Sequence, residues 1–306
     1  MSRRLRVLEL FCGIGGCAAA LGDSAEVVAA IDIDRTALDV YAANFAHATQ
    51  ARTIESIPAR ELAAFDADLW WMSPPCQPFT RRGNQRDLAD SRSQAFLNLV
   101  DCFRTVRPTF LALENVPPFA ESDAADLLRN TLRQLGYHWL EGTLCPTQLG
   151  IANRRQRFYL LASRDQPFPQ LTFRPVSCNA WVRRVADVLE PLEETLPGLV
   201  LSRETVGQYQ VAMHTVDAND TNAVMACFTS AYGRSPVRSG SYLRTGSEVR
   251  RFSPTEIAAM LGFSTDFQFP NSLSLRRQWS LVGNSLSVDV VRYVLSHLAV
   301  ADSLTT

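Results

Sequence analysis

The sequence predicts an α/β protein built on a doubly wound, mostly parallel β-sheet, together with a second, smaller and irregular domain. Short, nearly continuous apolar runs recur through the first half of the chain, and stretches with helical apolar spacing lie between them. From about residue 164 to 250 this pattern loosens into prolines, polar stretches and mixed apolar runs, which indicates the second domain. Regular patterning then returns towards the C-terminal end.

Five apolar runs are predicted to be strands buried on both faces. In chain order they are RVLELF (6–11), VVAAID (27–32), DLWWMS (68–73), TFLALE (109–114) and RFYLLAS (157–163). Helices are predicted between them at 36–45 and 96–103, where apolar residues recur at spacings of three and four. Because ligands of such sheets bind beyond the carboxyl ends of the strands, the residues that follow each run are the candidates for function.

The C-terminal part of the chain carries clear helix signals. Ser253 is a predicted N-cap, Pro254 stands at the first helical position, Glu256 completes a capping box and Gly262 ends the helix. The final segment, 283–298, has an apolar stripe typical of an amphipathic helix that could cover the sheet of the first domain. We therefore expect a catalytic domain made of residues 1–165 and 270–306, and a small target-recognition domain at 166–269.

Composition narrows the class of protein. The chain has 306 residues, 46% of them apolar, and a net charge of −1, which is typical of a soluble globular protein. No apolar run approaches membrane-spanning length, and seven cysteines without CxxC spacing favour reduced thiols in a cytoplasm. The four histidines are too scattered to suggest a metal site, so we expect no metal and no membrane. Any polyanionic partner must be bound by local patches of arginine, since the chain has no lysine.

A glycine-rich turn follows the first predicted strand. In LELFCGIGGCAAALG, the residues Gly13, Gly15 and Ala18 fit the pattern G-x-G-x-x-(G/A), and Asp32 ends the second strand. Such glycines let the backbone approach a cofactor, and a carboxylate at this position accepts hydrogen bonds from ribose hydroxyls. The pattern alone fits a nicotinamide cofactor and S-adenosyl-L-methionine equally well.

Three further stretches place reactive side chains near the same edge of the sheet. Cys76 lies between prolines after the third predicted strand, Glu114 ends the fourth, and Arg155 and Arg157 directly precede the next. A thiolate adds readily to an electron-poor ring carbon, such as C6 of a pyrimidine whose N3 is protonated by an acid. The C5 carbon can then take a methyl group from a sulfonium donor. Each residue also has a plainer interpretation: a buried small thiol for Cys76, a cap or ion pair for Glu114, and surface charge for the arginines.

These residues belong to a longer series of motifs through which the chain resembles the cytosine-5 methyltransferases. The motifs are, in order, LELFCGIGG, the acidic residue of AIDID, PPCQPF, ENV, N-x-R-x-R at 153–157 and GNS at 283–285. The resemblance implies an S-adenosylmethionine methyltransferase fold, with Cys76 as nucleophile, Glu114 at N3 of the base, Arg155 on the base and Arg157 in support. It also implies S-adenosyl-L-methionine as cofactor, bound by Phe11, Gly13, Ile14, Gly15, Asp32, Ile33, Pro75, Asn284 and Ser285.

Within that family the chain is most similar to the branch that methylates transfer RNA. The stretches RTIESI, MSPPCQPFTRRG, DSRSQAFL, ACFTSAYGR and LGFSTDFQFP carry this similarity. It implies methylation of an anticodon-loop cytosine at position 38 by a protein expected to be a monomer, with substrate contacts at Arg81, Arg82, Cys227, Phe228 and Thr229. The family usually has glutamate where Asp32 stands, glutamine where Asn153 stands, and ENVKGF where this chain has ENVPPF.

Two alternatives stay open from the sequence. A DNA cytosine-5 methyltransferase of a restriction-modification system would use the same chemistry, although only about 85 residues separate RFYLLA from RRFSP, which leaves little surface to read a duplex. A catalytically silent binding module would not need the cysteine, glutamate and arginine set. Two arginine clusters are candidate phosphate contacts: Arg81, Arg82, Arg86 and Arg92, and Arg234, Arg238, Arg244, Arg250 and Arg251.

Overall fold

A computed structural model of the chain describes residues 3–75, 93–175, 182–191 and 198–298. These residues form two compact units. The first lies within Met1–Leu144, Gln156–Arg174 and Val291–Thr306, and the second within Cys145–Arg155 and Pro175–Val290. The assignment of a target-recognition role to residues 166–269 stays a prediction.

The first unit contains a seven-stranded sheet. Its strands are β1 (Leu5–Leu10), β2 (Ala25–Asp32), β3 (Thr49–Ala51), β4 (Leu69–Met72), β5 (Phe110–Asn115), β6 (His138–Leu144) and β7 (Arg157–Ser163), in the order β3-β2-β1-β4-β5-β7-β6. The five strands β1 to β5 are parallel to one another, whereas β7 runs antiparallel to both of its neighbours, β5 and β6. The predicted fold class is confirmed, and all five predicted strands are present.

Helices cover both faces of this sheet. They are α1 (Gly16–Leu21), α2 (Arg35–Asn44), α3 (Ala59–Ala64), α4 (Gln94–Val106) and α5 (Asp123–Gln134). Leu8 and Leu10 of β1 belong to a large apolar cluster that includes residues of α4 and α5. Because side chains alternate along a strand, Glu9 points to the opposite face, where Tyr41 of α2 contacts it.

The reversed direction of β7 positions functional residues. In a parallel strand, residue 157 would begin at the edge of the sheet far from the carboxyl ends of its neighbours. In the antiparallel arrangement, Glu114 of β5 pairs with Tyr159 and Asn115 pairs with Phe158. The first residue of β7, Arg157, therefore stands at the carboxyl end of β5.

The second unit carries a three-stranded sheet and the capped helix predicted from the sequence. Its elements are α6 (Arg203–Tyr209), β8 (His214–Asp217), β9 (Ser241–Thr245), β10 (Glu248–Arg251), α7 (Pro254–Leu261) and α8 (Leu275–Asn284), and α9 (Val288–Leu295) begins here and continues into the first unit. Strand order is β10-β9-β8.

The two predictions for the C-terminal helices have different outcomes. The Ser253 side chain accepts from the Glu256 N–H, the Glu256 side chain accepts from the Ser253 N–H, and Gly262 ends α7 in the left-handed region, as predicted. The amphipathic helix predicted within 283–298 is α9, which is shorter, because residue 284 ends α8 and Ser285 is extended.

Candidate active site

The glycine turn after β1 is held against the end of β2. The N–H of Cys12 donates to the Ile31 carbonyl at 3.1 Å, and the N–H of Gly13 donates to Oδ2 of Asp32 at 2.8 Å. Gly15 has φ +88°, and a Cβ there would lie 2.4 Å from the Phe45 ring, so only glycine fits. Phe11 also has a positive φ, 57°, a costly conformation for a residue with a side chain and one found at ligand-binding turns.

Asp32 ends β2 and Ile33 follows it, next to the glycine turn. Asp32 accepts from Gly13 through Oδ2 and from the Asp34 N–H through Oδ1 at 2.9 Å. Burial raises the pKa of Asp32, and these backbone donors oppose the shift. Ile33 is a large apolar side chain that is 72% exposed. Ile14, in contrast, has a buried side chain, so only its backbone could contact a ligand.

This donor set fits S-adenosyl-L-methionine. A carboxylate oxygen has more than one lone pair, so Asp32 can accept from ribose hydroxyls while it holds the turn. Ile33 offers the apolar surface that an adenine ring needs, and a Cβ at Gly13 would meet no atom within 4 Å, which leaves the backbone open to a ligand. The turn therefore has the chemistry of a cofactor site.

Glu114 and Arg157 form an ion pair at the carboxyl end of β5. Nε of Arg157 lies 3.1 Å from Oε1 of Glu114, and the two side chains are only 17% and 9% exposed. Because both groups are shielded from water, the contact fixes the orientation of the Glu114 carboxyl group. The structure thus brings together two of the four residues predicted to be catalytic.

The chain that leads to Cys76 is fixed at two points. Nδ2 of Asn115 donates to the Pro74 carbonyl at 3.2 Å, and the Ser73 hydroxyl donates to the Phe11 carbonyl at 3.2 Å. Pro75 is exposed. Cys76, Arg81 and Arg82 lie outside the described residues, so their roles stay predictions.

Arg155 is the centre of a hydrogen-bonded cluster in the second unit. Its side chain is almost completely buried and donates to the carbonyls of Phe228, Gly283 and Ser285, with the Phe228 contact at 2.9 Å. Nη1 also lies 3.5 Å from Sγ of Cys227. Arg155 therefore joins the Cys227–Thr229 segment to the GNS segment, two motifs that the sequence separates widely.

Gly283 makes this junction possible. It lies inside α8, where glycine is less favourable than alanine, yet a Cβ there would stand 2.4 Å from the backbone of Thr229. Of the other GNS residues, Asn284 is exposed and Ser285 is buried. Phe228 is buried, whereas Thr229 is partly exposed and its N–H donates to the Ser239 carbonyl at 2.9 Å.

Several supporting residues were not predicted. The role of Asn115 has no signal beyond its place after Glu114, and the close approach at Gly283 is signalled only by a glycine within a helix. Glu9 is a stronger case, because an acidic residue inside an apolar strand is rarely buried without a specific partner.

The described part of the chain contains neither a metal-binding group nor a membrane-spanning helix. Within residues 3–75, 93–175, 182–191 and 198–298, no group of three or more His, Cys, Asp or Glu side chains could hold a metal ion. No helix within those ranges is long and apolar enough to span a bilayer. Cys12, Cys17, Cys102 and Cys145 are buried.

Comparison with known proteins agrees with the motif series. The chain is 35% identical over 327 residues to the tRNA (cytosine(38)-C(5))-methyltransferase of Schizosaccharomyces pombe, covering 97% of each chain. It is 31% identical over 390 residues to the human protein of the same name, covering 96% of this chain and 99% of that one. The crystal structure of the S. pombe Dnmt2 methyltransferase superposes with a TM-score of 0.85 at 33% identity, covering 96% of this chain and 98% of that one.

The family assignment follows from the extent of these matches. Residues 5–299 match the C-5 cytosine-specific DNA methylase family. This range contains every motif on which the resemblance was based. The chain belongs to the C-5 cytosine-specific DNA methylase family.

Proposed function

We propose that this protein transfers a methyl group from S-adenosyl-L-methionine to C5 of cytosine 38 in tRNA, through a covalent bond between Cys76 and C6 of the base. The observation that carries the proposal is the 35% identity, over 97% of both chains, to a tRNA (cytosine(38)-C(5))-methyltransferase. The ion pair of Glu114 and Arg157 supports it, because it orients an acid at the edge of the sheet where Cys76 follows β4.

In this mechanism the Cys76 thiolate adds to C6 while the Glu114 carboxyl group supplies a proton to N3. The neighbouring Arg157 guanidinium favours release of that proton, because a cation stabilises the carboxylate that remains. C5 thereby becomes nucleophilic. Loss of the C5 proton to solvent after methylation then expels the thiolate, and N3 returns its proton to the Glu114 carboxylate, which restores the ring and the enzyme. S-adenosyl-L-methionine, when bound, supplies the electrophilic methyl group.

The remaining predicted residues have positioning roles. Asp32 binds the ribose, Ile33 packs on the adenine, and Phe11, Gly13, Ile14 and Gly15 line the turn around the cofactor. Asn115 and Ser73 hold the chain that immediately precedes Cys76. Arg155 orders the Cys227–Thr229 and GNS segments by donating to their backbone carbonyls, so its predicted contact with the base carbonyl has no support from this geometry.

An RNA substrate is supported by exposed arginines of the second unit. Arg154, Arg234, Arg238, Arg244 and Arg276 are exposed, and none of them forms an ion pair with an acidic residue in the described part of the chain. The predicted cluster needs one correction. Arg250 is buried against Glu256, so it has a structural role and is not a phosphate contact. We further infer a monomeric enzyme of the cytoplasm.

The test follows a labelled methyl group from S-adenosyl-L-methionine into total tRNA and genomic DNA from cells that lack the enzyme. We expect label in tRNA alone, at cytosine 38. Label in DNA alone would assign the protein to the restriction-modification alternative, and label in neither would contradict both.

The covalent step has its own measurement. A tRNA with 5-fluorocytosine at position 38 cannot lose a C5 proton, so the adduct accumulates and migrates as a protein–RNA band in a denaturing gel. We expect the band with the wild type and with Cys102→Ala, which changes a buried thiol of α4. Cys76→Ala should give none, and wild-type methylation by that variant would exclude the mechanism.

A further inference from the structure

Glu9 is a buried acidic residue that the proposed chemistry does not use. It lies in β1, two residues before the glycine turn begins at Phe11, and its exposed fraction is 0%. The Tyr41 hydroxyl donates to Oε2 of Glu9 at 2.9 Å, and the same hydroxyl lies 3.1 Å from Nδ1 of His47. These three side chains form a continuous hydrogen-bonded chain that leads from the partly exposed His47 to the interior.

This chain packs directly beneath the cofactor turn. A Cβ added at Gly15 would meet the Phe45 ring at 2.4 Å and the Tyr41 ring at 3.1 Å, so both rings are in close contact with the turn. The Phe45 ring also stacks on His47, with ring centroids 5.8 Å apart and planes inclined by 5°. A change in the charge of Glu9 is therefore a change in the electrostatic field at the turn.

The surroundings of Glu9 disfavour its charge. Its Oε1 accepts no hydrogen bond from a described residue, and burial raises its pKa from 4.5 to about 8, against the effect of Tyr41 and the N–H groups of Cys17 and Ala18. The other titratable groups facing it are Cys12, Cys17, Asp32 and, through Tyr41, His47. Its partners in the neighbouring strands, Ala30 and Trp71, carry no charge.

We propose that Glu9 is a proton-linked positioning residue, and that a cationic sulfonium bound at the glycine turn releases a proton through the Glu9–Tyr41–His47 chain whereas a neutral thioether does not. The inference rests on the proposed function only in taking S-adenosyl-L-methionine as the ligand of the turn. It names a property that distinguishes this cofactor from its demethylated product, S-adenosylhomocysteine.

The proton movement balances along the three side chains. Glu9 gives its proton to Oη of Tyr41 as Tyr41 gives its own to Nδ1 of His47, and His47 loses the proton of Nε2 to water. One proton leaves the protein, Glu9 becomes a carboxylate, and the Tyr41 hydroxyl donates to it as observed. A carboxylate near the turn attracts the sulfonium, which makes binding of the cationic ligand stronger as pH rises.

The test measures both ligands by titration calorimetry in buffers that differ in enthalpy of ionisation, which gives the number of protons released on binding. At pH 7.5 we expect the wild type to release more protons with S-adenosyl-L-methionine than with S-adenosylhomocysteine. The ratio of the two affinities should rise by up to about 10-fold between pH 6.5 and 8.5, which corresponds to a pKa shift of about one unit.

Variants distinguish Glu9 from other groups that could release the proton. Glu9→Gln should abolish the difference in proton release, while Glu26→Gln, which changes an exposed carboxylate of β2, should keep it. If Glu9→Gln does not fold, Tyr41→Phe serves instead, since it removes the donor to Glu9 and should weaken binding of the cation relative to the thioether. Proton release that persists in Glu9→Gln would assign it to Asp32 and overturn the proposal.

Failure of the proposed function would look different. If neither ligand binds, the cofactor assignment is wrong. If both bind with equal proton release and a constant affinity ratio, the cofactor assignment stands and the proposed role of Glu9 is wrong.

Discussion

Glu9 in the first unit and Glu256 in the second are both buried, yet they differ in the donors and the cations that surround the carboxyl group. Glu256 receives two hydrogen bonds from Arg250, at 2.8 and 2.6 Å, and further ones from the N–H groups of Ser253 at 2.8 Å and Glu190 at 3.1 Å. Glu9 has neutral donors, the Tyr41 hydroxyl and the N–H groups of Cys17 and Ala18, and no cation among the described residues. The surroundings of Glu256 stabilise a permanent negative charge, whereas the charge of Glu9 depends on pH.

The comparison teaches that burial alone does not reveal the role of an acidic residue. A buried carboxylate with a cation and several donors orders the local structure. Removing one member of such a pair leaves the other as a buried charge without a partner, which lowers the free energy of unfolding. A buried carboxylate with neutral donors and no cation can change its protonation state, and such groups are found near ligand sites. Both patterns occur here, in different units of one chain.

The largest expected effect comes from breaking the compensated pair. Glu256→Gln leaves the Arg250 guanidinium, whose side chain is 6% exposed, without its counter-charge. We expect the free energy of unfolding to fall by about 3–5 kcal/mol, measured by urea titration. The double variant Arg250→Met and Glu256→Leu should recover part of this loss, and a loss below about 1 kcal/mol for Glu256→Gln would show that the pair contributes little.

Glu9→Gln should have a smaller effect that depends on pH. In the wild type the folded state keeps the Glu9 proton between its ordinary pKa of 4.5 and about 8, whereas the unfolded state has lost it. Folding therefore takes up a proton, and stability falls as pH rises, by up to about 1.4 kcal/mol per unit for this group. Glutamine removes that slope.

The measurement compares urea unfolding of the wild type and Glu9→Gln at pH 6.5, 7.0 and 7.5. Burial lowers the pKa of His47 below its ordinary value of 6.5, and because both proteins keep His47, its contribution to the pH dependence is the same in each. Parallel stability curves for the two proteins would mean that Glu9 is ionised in the folded state and that the contrast with Glu256 is wrong.

The smallest expected effect separates the cap of α7 from the ion pair. Ser253→Ala removes the side-chain acceptor of the Glu256 N–H, at 3.0 Å, but leaves Arg250 and Glu256 in contact. We expect a loss of about 0.5–2 kcal/mol in the free energy of unfolding. A loss as large as that of Glu256→Gln would place the stabilising interaction in the cap, not in the pair.

The sequence predicted those features that depend on local patterns. The apolar runs located five strands, and the spacing of Ser253, Pro254, Glu256 and Gly262 located one helix to the residue. β3 has three residues and no buried one, and β6, at the edge of the sheet, has two buried residues among its seven, Leu140 and Leu144, so neither gives an apolar run.

Features that depend on distant residues could not be predicted in the same way. Arg250 and Arg251 are adjacent in the sequence, and only the structure shows that the first is buried against Glu256 while the second lies over the Trp279 ring, 5.6 Å from its centroid. The contact of Arg157 with Glu114 depends on the reversed direction of β7, which the composition of that strand does not reveal.

The division of the first unit into three chain segments has a consequence for its synthesis. His297, in the last segment, stacks edge-on against Phe173 with ring centroids 5.4 Å apart, and the two segments are separated in the chain by residues 175–290. At a translation rate of 5–20 residues per second, a ribosome spends roughly 6–23 s on that intervening stretch. During this interval the first unit lacks its C-terminal segment, and Phe173 lacks its contact with His297.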